Sequence, residues 1–318
     1  MALSGEIPYT KGLHAVGDGV WAYLQPDGGW GWSNAGLVSD GEASLLVDTL
    51  FDLKLTAAML EAMRAAVPAA ERIGTVVNTH ANGDHCYGNA LVADAEIVAS
   101  AAGAAEMEEV PPSLLAAFVR SAPEMGAAGA FLERIFGRFT FEGIELVPPT
   151  RTFEGELELR VGDKVVRLIE VGPAHTRGDV VAHLPGDGVL FTGDILFHGG
   201  HPIVWAGPVT NWIAACDRLL ALDGVETVVP GHGPVTGPEA IAGLKGYFEL
   251  ITAEARRCFD AGMPVLDAAR SVDLGPYAGL GERERLAVNI AVLYREFGGE
   301  VDAGVGTAFE LMAATAGG

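Results

Sequence analysis

The stretch "VVNTHANGDHCYGN", residues 76–89, decides how the chain is read. A run of apolar, strand-forming residues ends at Val77, and His80, Asn82, Asp84 and His85 follow within a few positions. Alone, the segment is either a metal site with one unusual ligand or a polar turn that holds two histidines. The same setting recurs downstream: "LIEVGPAHTRGD" sets His175, "TVVPGHG" sets His232 and "VLFTGD" sets Asp194 just past a strand, beside a glycine or turn residue. Strand ends that meet on one edge of a sandwich gather side chains from distant sequence, on loops free of ladder hydrogen bonds. Imidazole and carboxylate are the ligands Zn²⁺ takes, at about 2.0–2.2 Å. Gly83 lets the turn place Asn82 and Asp84 inward, and Gly193 and Gly231 let backbone approach where a Cβ clashes. A single loop histidine is more often a solvated residue than a ligand; five such positions in this order tip the balance toward metal.

Composition narrows the setting. The chain has 318 residues, 49% of them hydrophobic and 19% charged, which is ample material for a core and carries no signature of disorder. Twenty Lys and Arg against 42 Asp and Glu give a net charge of −22, which opposes attraction to phosphate backbones and anionic membranes. Nucleic acid is therefore not an expected partner. No apolar run approaches bilayer-spanning length and the N-terminus lacks a signal pattern, so a cytoplasmic protein is expected. Cys86, Cys216 and Cys258 are odd in number and far apart, which predicts reduced, buried thiols.

Strands are predicted at 20–24, 34–38 and 44–48 between "PDGG" and "SDGE" turns, with a helix over 52–66 capped by Asp52. A strand at 74–79 leads into the motif and another follows at 96–99. Residues 101–149 read as a helical insertion interrupted at Pro123 and Gly126. Strand pattern returns in "LELRVGDKVVRLIEVG" and "VVAHLPGDGVLFTGD", then a helix over 208–223, a strand over 225–229, a helix over 238–258, and further helices with an Ala/Gly-rich tail that frays. Two strand-rich halves, each followed by helix, predict an αββα sandwich of two mixed β-sheets flanked by helices. The expected organisation is a catalytic domain over 1–240 and a helical extension over 241–318 on the same domain, either capping a pocket or forming a homodimer interface.

"THANGDH", "PAHTRGD", "FTGD" and "PGHG", in this order, resemble the metallo-β-lactamase superfamily, whose pattern is H-x-H-x-D-H, then a His, an Asp or Cys, and a final His. The resemblance implies the αββα fold and a divalent metal centre. It implies His80 and His175 for a first ion, Asp84, His85 and His232 for a second, and Asp194 as the bridge. The chain departs from the pattern at Asn82, where the family has a histidine. An amide oxygen is a weaker ligand than imidazole for a borderline-soft ion, so the first site is expected to be weakened. The implied cofactor is one or two Zn²⁺, with iron or manganese as alternatives.

Such an ion lowers the pKa of bound water to about 7 and so supplies hydroxide for hydrolysis of an acyl bond, with Asp84 as the catalytic residue that orients or deprotonates the water. With Asp at the bridging position, the chain looks more like thioesterase, glyoxalase II and lactonase branches than like the Cys-bearing β-lactamases. "HANGDHCYGN" and "GDILFHGGHPIVWAGPVTNW" are similar to a branch containing cyclase/thioesterases of aromatic polyketide synthesis. A small-molecule acyl substrate, on coenzyme A or a carrier protein, is the implied partner. Trp30, Trp32, His198, His201 and Trp205 are candidate substrate-binding residues, Trp212 is a further aromatic, and Arg120, Arg134 and Arg138 are a candidate basic patch for the carrier. Ordinary core packing and solvated loops are the competing readings. An iron-dependent oxidoreductase of the same fold, a β-lactam hydrolase and a metal-free binding protein are the alternatives.

Overall fold

The computed structural model describes residues 7–302 and 304–316. The chain begins as an antiparallel meander, β1 (Gly12–Gly17), β2 (Val20–Leu24), β3 (Ala35–Asp40) and β4 (Ala43–Val47), each strand pairing with the next. Gly41 takes the positive φ of 58° that the β3–β4 turn requires. Helix α1 (Leu53–Ala66) follows, with the Asp52 carboxylate accepting from Leu55 N at 2.8 Å. Such a cap contributes about 1 kcal/mol. β5 (Thr75–Val77) then pairs parallel to β4, and a one-turn helix, α2 (Gly83–Cys86), carries Asp84 and His85.

β6 (Glu96–Ser100) lies parallel to β5, and the expected insertion forms α3 (Ala101–Met107), α4 (Pro112–Ser121) and α5 (Gly126–Phe136), broken at Pro123 and Gly126. β7 (Arg151–Phe153) completes a seven-stranded mixed sheet in the order β1 to β7. The second sheet takes β8 (Glu156–Val161), β9 (Lys164–Glu170), β10 (Val180–Leu184), β11 (Val189–Phe197) and, after helix α6 (Val209–Leu220), β12 (Thr227–His232), which runs parallel to β11. The chain closes with α7 (Glu239–Asp260), α8 (Val265–Ser271), α9 (Arg285–Glu296) and α10 (Val305–Thr315).

Alternation along the strands sorts the side chains into layers. Val20, Val38, Leu45 and Val77 of the first sheet meet Val166, Leu168, Val180 and Val189 of the second in the inner core. On the outer face of the first sheet, Leu37, Leu46, Val76 and Ile97 pack against Met59, Leu60 and Met63 of α1. On the outer face of the second, Val181, Leu190 and Val228 share a cluster with Trp212 and Cys216 of α6 and with Phe248 and Ile251 of α7. The expected αββα sandwich is the fold.

The tail departs from expectation. Residues expected to fray form α10 because Phe309 and Met312 are buried in the cluster that also holds Phe131 and Phe136 of α5 and Leu293 of α9. All three cysteines are free and buried, as expected. Among the described residues no helix is long and apolar enough to cross a membrane.

Candidate metal centre

The carboxyl ends of β4, β5, β11 and β12 meet on one edge of the sandwich, and the motif side chains converge there. His80 leaves the end of β5, Asp84 and His85 ride on α2, and His175 sits in the loop before β10. Asp194 lies within β11 and His232 ends β12. All six are buried.

Each ring that faces the centre is held through Nδ1. His85 Nδ1 lies 2.9 Å from Asp48 Oδ2, His175 Nδ1 2.7 Å from the Ile203 carbonyl and His232 Nδ1 3.2 Å from the Gly28 carbonyl. Thr79 Oγ1 donates to Asp48 Oδ2 at 2.7 Å, so His80 Nδ1, 3.0 Å away, donates to Thr79 Oγ1. These partners are acceptors, which assigns the proton to Nδ1 in all four rings and turns every Nε2 inward. That arrangement fixes tautomer and orientation for metal binding.

The inward atoms surround Asp194. Its Oδ1 is 3.1 Å from His85 Nε2, and its Oδ2 is 3.4 Å from His175 Nε2, 3.5 Å from His232 Nε2 and 3.8 Å from His80 Nε2. Asp84 Oδ2 lies 3.3 Å from His232 Nε2 and 3.9 Å from His85 Nε2. Two ligands about 2.1 Å from one tetrahedral ion stand roughly 3.4 Å apart, so the spacings match. Two groups, His80–His85–Asp194 and Asp84–His85–His232, each bring their ligand atoms within 4.8 Å of one another. His80 Nε2, His85 Nε2 and Asp194 Oδ1 are buried with no hydrogen-bond partner. Orphaned polar atoms converging in this way fit a divalent cation.

Asn82 is the exception. Its Oδ1 lies 2.7 Å from His175 Nε2. Burial outweighs the pull of Asp194 and lowers the His175 pKa to about 4, so the ring is neutral at pH 7 and that nitrogen carries a lone pair. Two lone pairs face each other, and a shared cation relieves the repulsion. Turning the amide to donate from its nitrogen relieves it equally and withdraws His175 from the ligand set. Asn82→His, which restores an imidazole, is expected to raise the metal content of the purified protein by up to one ion per chain; an unchanged content by elemental analysis contradicts a weakened first site.

Electrostatics makes metal uptake pH-dependent. Without metal, burial opposes charge on His232, yet Asp194 and Asp84 outweigh it and hold its pKa up at about 9. His85 is likewise held well above its ordinary value, burial being overcome by Asp194, Asp84 and Asp48. At pH 7 an incoming ion must displace these protons. Apparent affinity should therefore rise with pH up to about 9, roughly tenfold per unit for each proton displaced. Calorimetry in buffers of different ionisation heat reads the released protons, and affinity that stays flat from pH 7 to 9 contradicts this account.

Asp48 was not among the sequence candidates. Its Oδ1 accepts from Thr79 N at 2.7 Å and its Oδ2 from Thr79 Oγ1 and His85 Nδ1, so one buried carboxylate aims two ligands. "LLVDT" puts it just past a strand, the same setting that singled out Asp194. Asp179 does a similar service for the His175 loop, accepting from Thr176 N and Oγ1 and from Ala174 N.

A cavity of about 480 Å³ opens over the cluster, and Asn82, Asp84, His175, Asp194 and His232 form its floor. Trp30 and Trp205, two of the substrate-binding candidates, line it. Trp32 does not; it packs on Phe139 with ring centroids 5.0 Å apart. Neither expected histidine reaches the cavity: His198 Nδ1 donates to the Pro234 carbonyl, and His201 is buried against the Tyr247 hydroxyl. Burial, then Arg283 and Arg285, take the His201 pKa down to about 3, so it carries no proton to give from both nitrogens at pH 7. Trp212 is core, with Nε1 donating to the Ile195 carbonyl. The expected basic patch is not spare charge: Arg120 pairs with Glu142, Arg134 with Glu284 and Arg138 with Asp27. Of the two roles open to the C-terminal helices, lining the pocket is seen directly, in Val288 and Ala291 of α9 and Ala308 and Phe309 of α10.

Two mixed sheets between helices, with a histidine–carboxylate cluster at one edge, define an αββα protein whose site could hold a divalent ion. The chain belongs to the metallo-β-lactamase superfamily, whose family profile, described as Metallo-beta-lactamase superfamily, matches residues 28–232. It is similar to the Acyl-coenzyme A thioesterase MBLAC2 of Homo sapiens, 26% identical over an alignment of 251 positions that covers 74% of this chain and 85% of that protein. Among solved structures it resembles the stereoselective inverting sec-alkylsulfatase Pisa1 from Pseudomonas sp. at TM-score 0.68 and 17% identity, covering 93% of this chain and 51% of that one. The chain thus spans about half of the alkylsulfatase. It also resembles a metallo-beta-lactamase from Pontibacter korlensis at TM-score 0.55 and 18% identity, covering 74% of this chain and 98% of that one. Likeness at these identities speaks to the fold alone.

Proposed function

We propose that the chain is a metal-dependent hydrolase of acyl thioesters, with zinc as its ion and a bulky aromatic acyl group as the apolar part of its substrate. The observation that carries this reading is the set of four imidazoles pinned at Nδ1 with their Nε2 atoms gathered around Asp194, at the floor of a cavity walled by aromatic and aliphatic side chains. His80, His85, His232, Asp84 and Asp194 would hold the metal, with His175 and Asn82 completing a looser site. A divalent ion held there would supply a water of near-neutral pKa and a Lewis acid for the scissile carbonyl.

The chain's own residues supply the rest. Burial opposes charge on Asp84, but His85 and His232 overcome it and hold the carboxyl below its usual range, so it is an acceptor at neutral pH. Asp84 orients the attacking water and takes its proton. Trp30, Phe136 and Trp205 present flat apolar surface to the acyl group and exclude bulk water from the carbonyl. The similarity to an acyl-coenzyme A thioesterase supports a thioester over an amide or a β-lactam, with coenzyme A or a carrier protein as the leaving thiol. Within that class an aromatic polyketide acyl chain is the finer reading, since several fused rings need a cavity of this size and lining.

The test is a screen of acyl thioesters, esters and lactones against zinc-loaded protein, with His85→Ala as the blank. Aromatic acyl thioesters should be turned over fastest. Activity confined to lactams, or equal in the blank, overturns the proposal.

A further inference from the structure

Arg285 lies outside the motifs and outside the residues matched by the family profile. Among the described residues it is the only Lys or Arg that is buried, with 1% of its surface exposed. It opens α9 and lines the cavity whose floor is Asp84, Asp194 and His232. Its guanidinium lies 4.3 Å from the Trp30 ring centroid and 5.0 Å from that of Phe197. The Phe197 ring in turn stacks on His232 at 5.2 Å and 9°. The cation therefore stands one aromatic ring away from the metal centre.

Its hydrogen bonding is incomplete. Nη1 donates to the His201 carbonyl at 2.9 Å. Nε is buried with no partner, and no carboxylate among the described residues forms an ion pair with the group. The neighbouring Glu284 is engaged elsewhere, accepting from Trp30 Nε1 at 3.0 Å and pairing with Arg134 at 3.5 Å. Glu282 is the carboxylate that acts on the guanidinium most, with Asp194, Glu284 and Asp84 behind it, but none of them stands at ion-pair distance. Burying a charge with no paired counter-charge costs several kcal/mol, and guanidinium stays protonated. One bond to a carbonyl tethers α9 to the loop after β11, but a neutral side chain can do that without the cost. The planar fork with a free edge suits a carboxylate, which it meets through two parallel N–H donors.

We propose that Arg285 recognises a carboxylate borne by the acyl group of the substrate, so that the preferred thioester is that of an acyl group with a second, free acid. This rests on the thioesterase reading of the same site. The acyl body lies along the aromatic wall, the carbonyl faces Asp84 and Asp194, and the free acid turns to the Nε edge of Arg285. In a chain of net charge −22, an anionic substrate needs such a cation within the cavity itself.

The test uses the zinc-loaded protein and two unreactive ligands, 4-carboxybenzamide and its neutral counterpart terephthalamide, with affinities read by calorimetry. The wild type is expected to favour the acid by roughly ten- to a hundredfold, as a charge-assisted hydrogen bond provides. Arg285→Met should bring that ratio to within about twofold of unity. The ratio is the readout, so a general weakening of the pocket does not imitate the result. Arg285→Lys keeps the charge without the fork and covers the case in which the Met variant does not fold; its ratio should fall below that of the wild type. An acid preference that survives in Arg285→Met places the carboxylate on the metal and overturns the proposal, as does a wild type without preference or a Lys variant with the full ratio. A parallel arm compares kcat/KM for benzoyl and 4-carboxybenzoyl thioesters of N-acetylcysteamine. If neither is hydrolysed, the thioesterase reading fails while the binding ratio still decides the role of Arg285.

Discussion

Asp84→Ala is expected to lower turnover of the best thioester by about 10²–10⁴-fold, the range supplied by a positioned general base. The loss should come in kcat, with the protein still folded and still carrying metal. His80, His85 and His232 keep their own anchors at Thr79, Asp48 and Gly28, none of which involves the Asp84 carboxylate. Asp194 remains central to the cluster, so the ligands that survive can retain at least one ion. The Asp84 backbone stays tethered as well, its carbonyl accepting from Ser33 Oγ at 2.5 Å. Elemental analysis and steady-state kinetics on the same preparation decide the matter. Near-wild-type kcat with Ala in place removes Asp84 from catalysis.

Gly231→Ala should abolish metal binding without touching a ligand. A Cβ at this position runs into Asp194 Oδ1 and also lies 2.8 Å from the Gly193 carbonyl oxygen. Neither neighbour can yield cheaply: Gly193 is backbone within β11, and Asp194 is the carboxylate around which the imidazoles are arranged. Overpacking of this kind costs about 1–3 kcal/mol of stability. The larger effect falls on the ion, because displacing the central carboxylate changes several ligand distances at once. Metal content well below one ion per chain, with a Tm only a few degrees lower, is the expected outcome. Wild-type metal content in the Ala variant contradicts the close approach of β12 to β11.

The convergence of histidines and carboxylates was readable because these residues share a local signature, a histidine or aspartate just past an apolar strand and beside glycine. Asp48 shares half of it. A lone strand-end carboxylate in "LLVDT" also suits a turn, and only the three-dimensional path from β4 to α2 brings it to His85. Trp32, His198 and His201 are placed elsewhere for the opposite reason: Trp32 shares the Gly-rich turn of Trp30 and the two histidines follow Asp194 in sequence, while the chain turns them toward Phe139, Pro234 and Tyr247. The helices of the sandwich followed their periodicity well. α9 did not, since residues 285–294 are buried all round. "ERERLAVNIAVLYREFG" reads as a helix and is one, but α8 and α10 contact it and Arg285 is enclosed with the apolar residues.

The cavity has two authors within one chain. Every inward imidazole falls between residues 80 and 232, inside the stretch matched by the family profile, while Arg285, Val288, Ala291, Ala308 and Phe309 come from beyond it. Part of the cavity wall thus comes from outside the stretch that carries the histidine–carboxylate cluster, the rest, with Trp30, Phe136 and Trp205, from within it. Drift in the last helices can reshape that part of the wall while the buried cluster stays as it is. Exchanging residues 285–311 between relatives accordingly alters one side of the cavity and leaves the imidazoles and carboxylates on its floor in place.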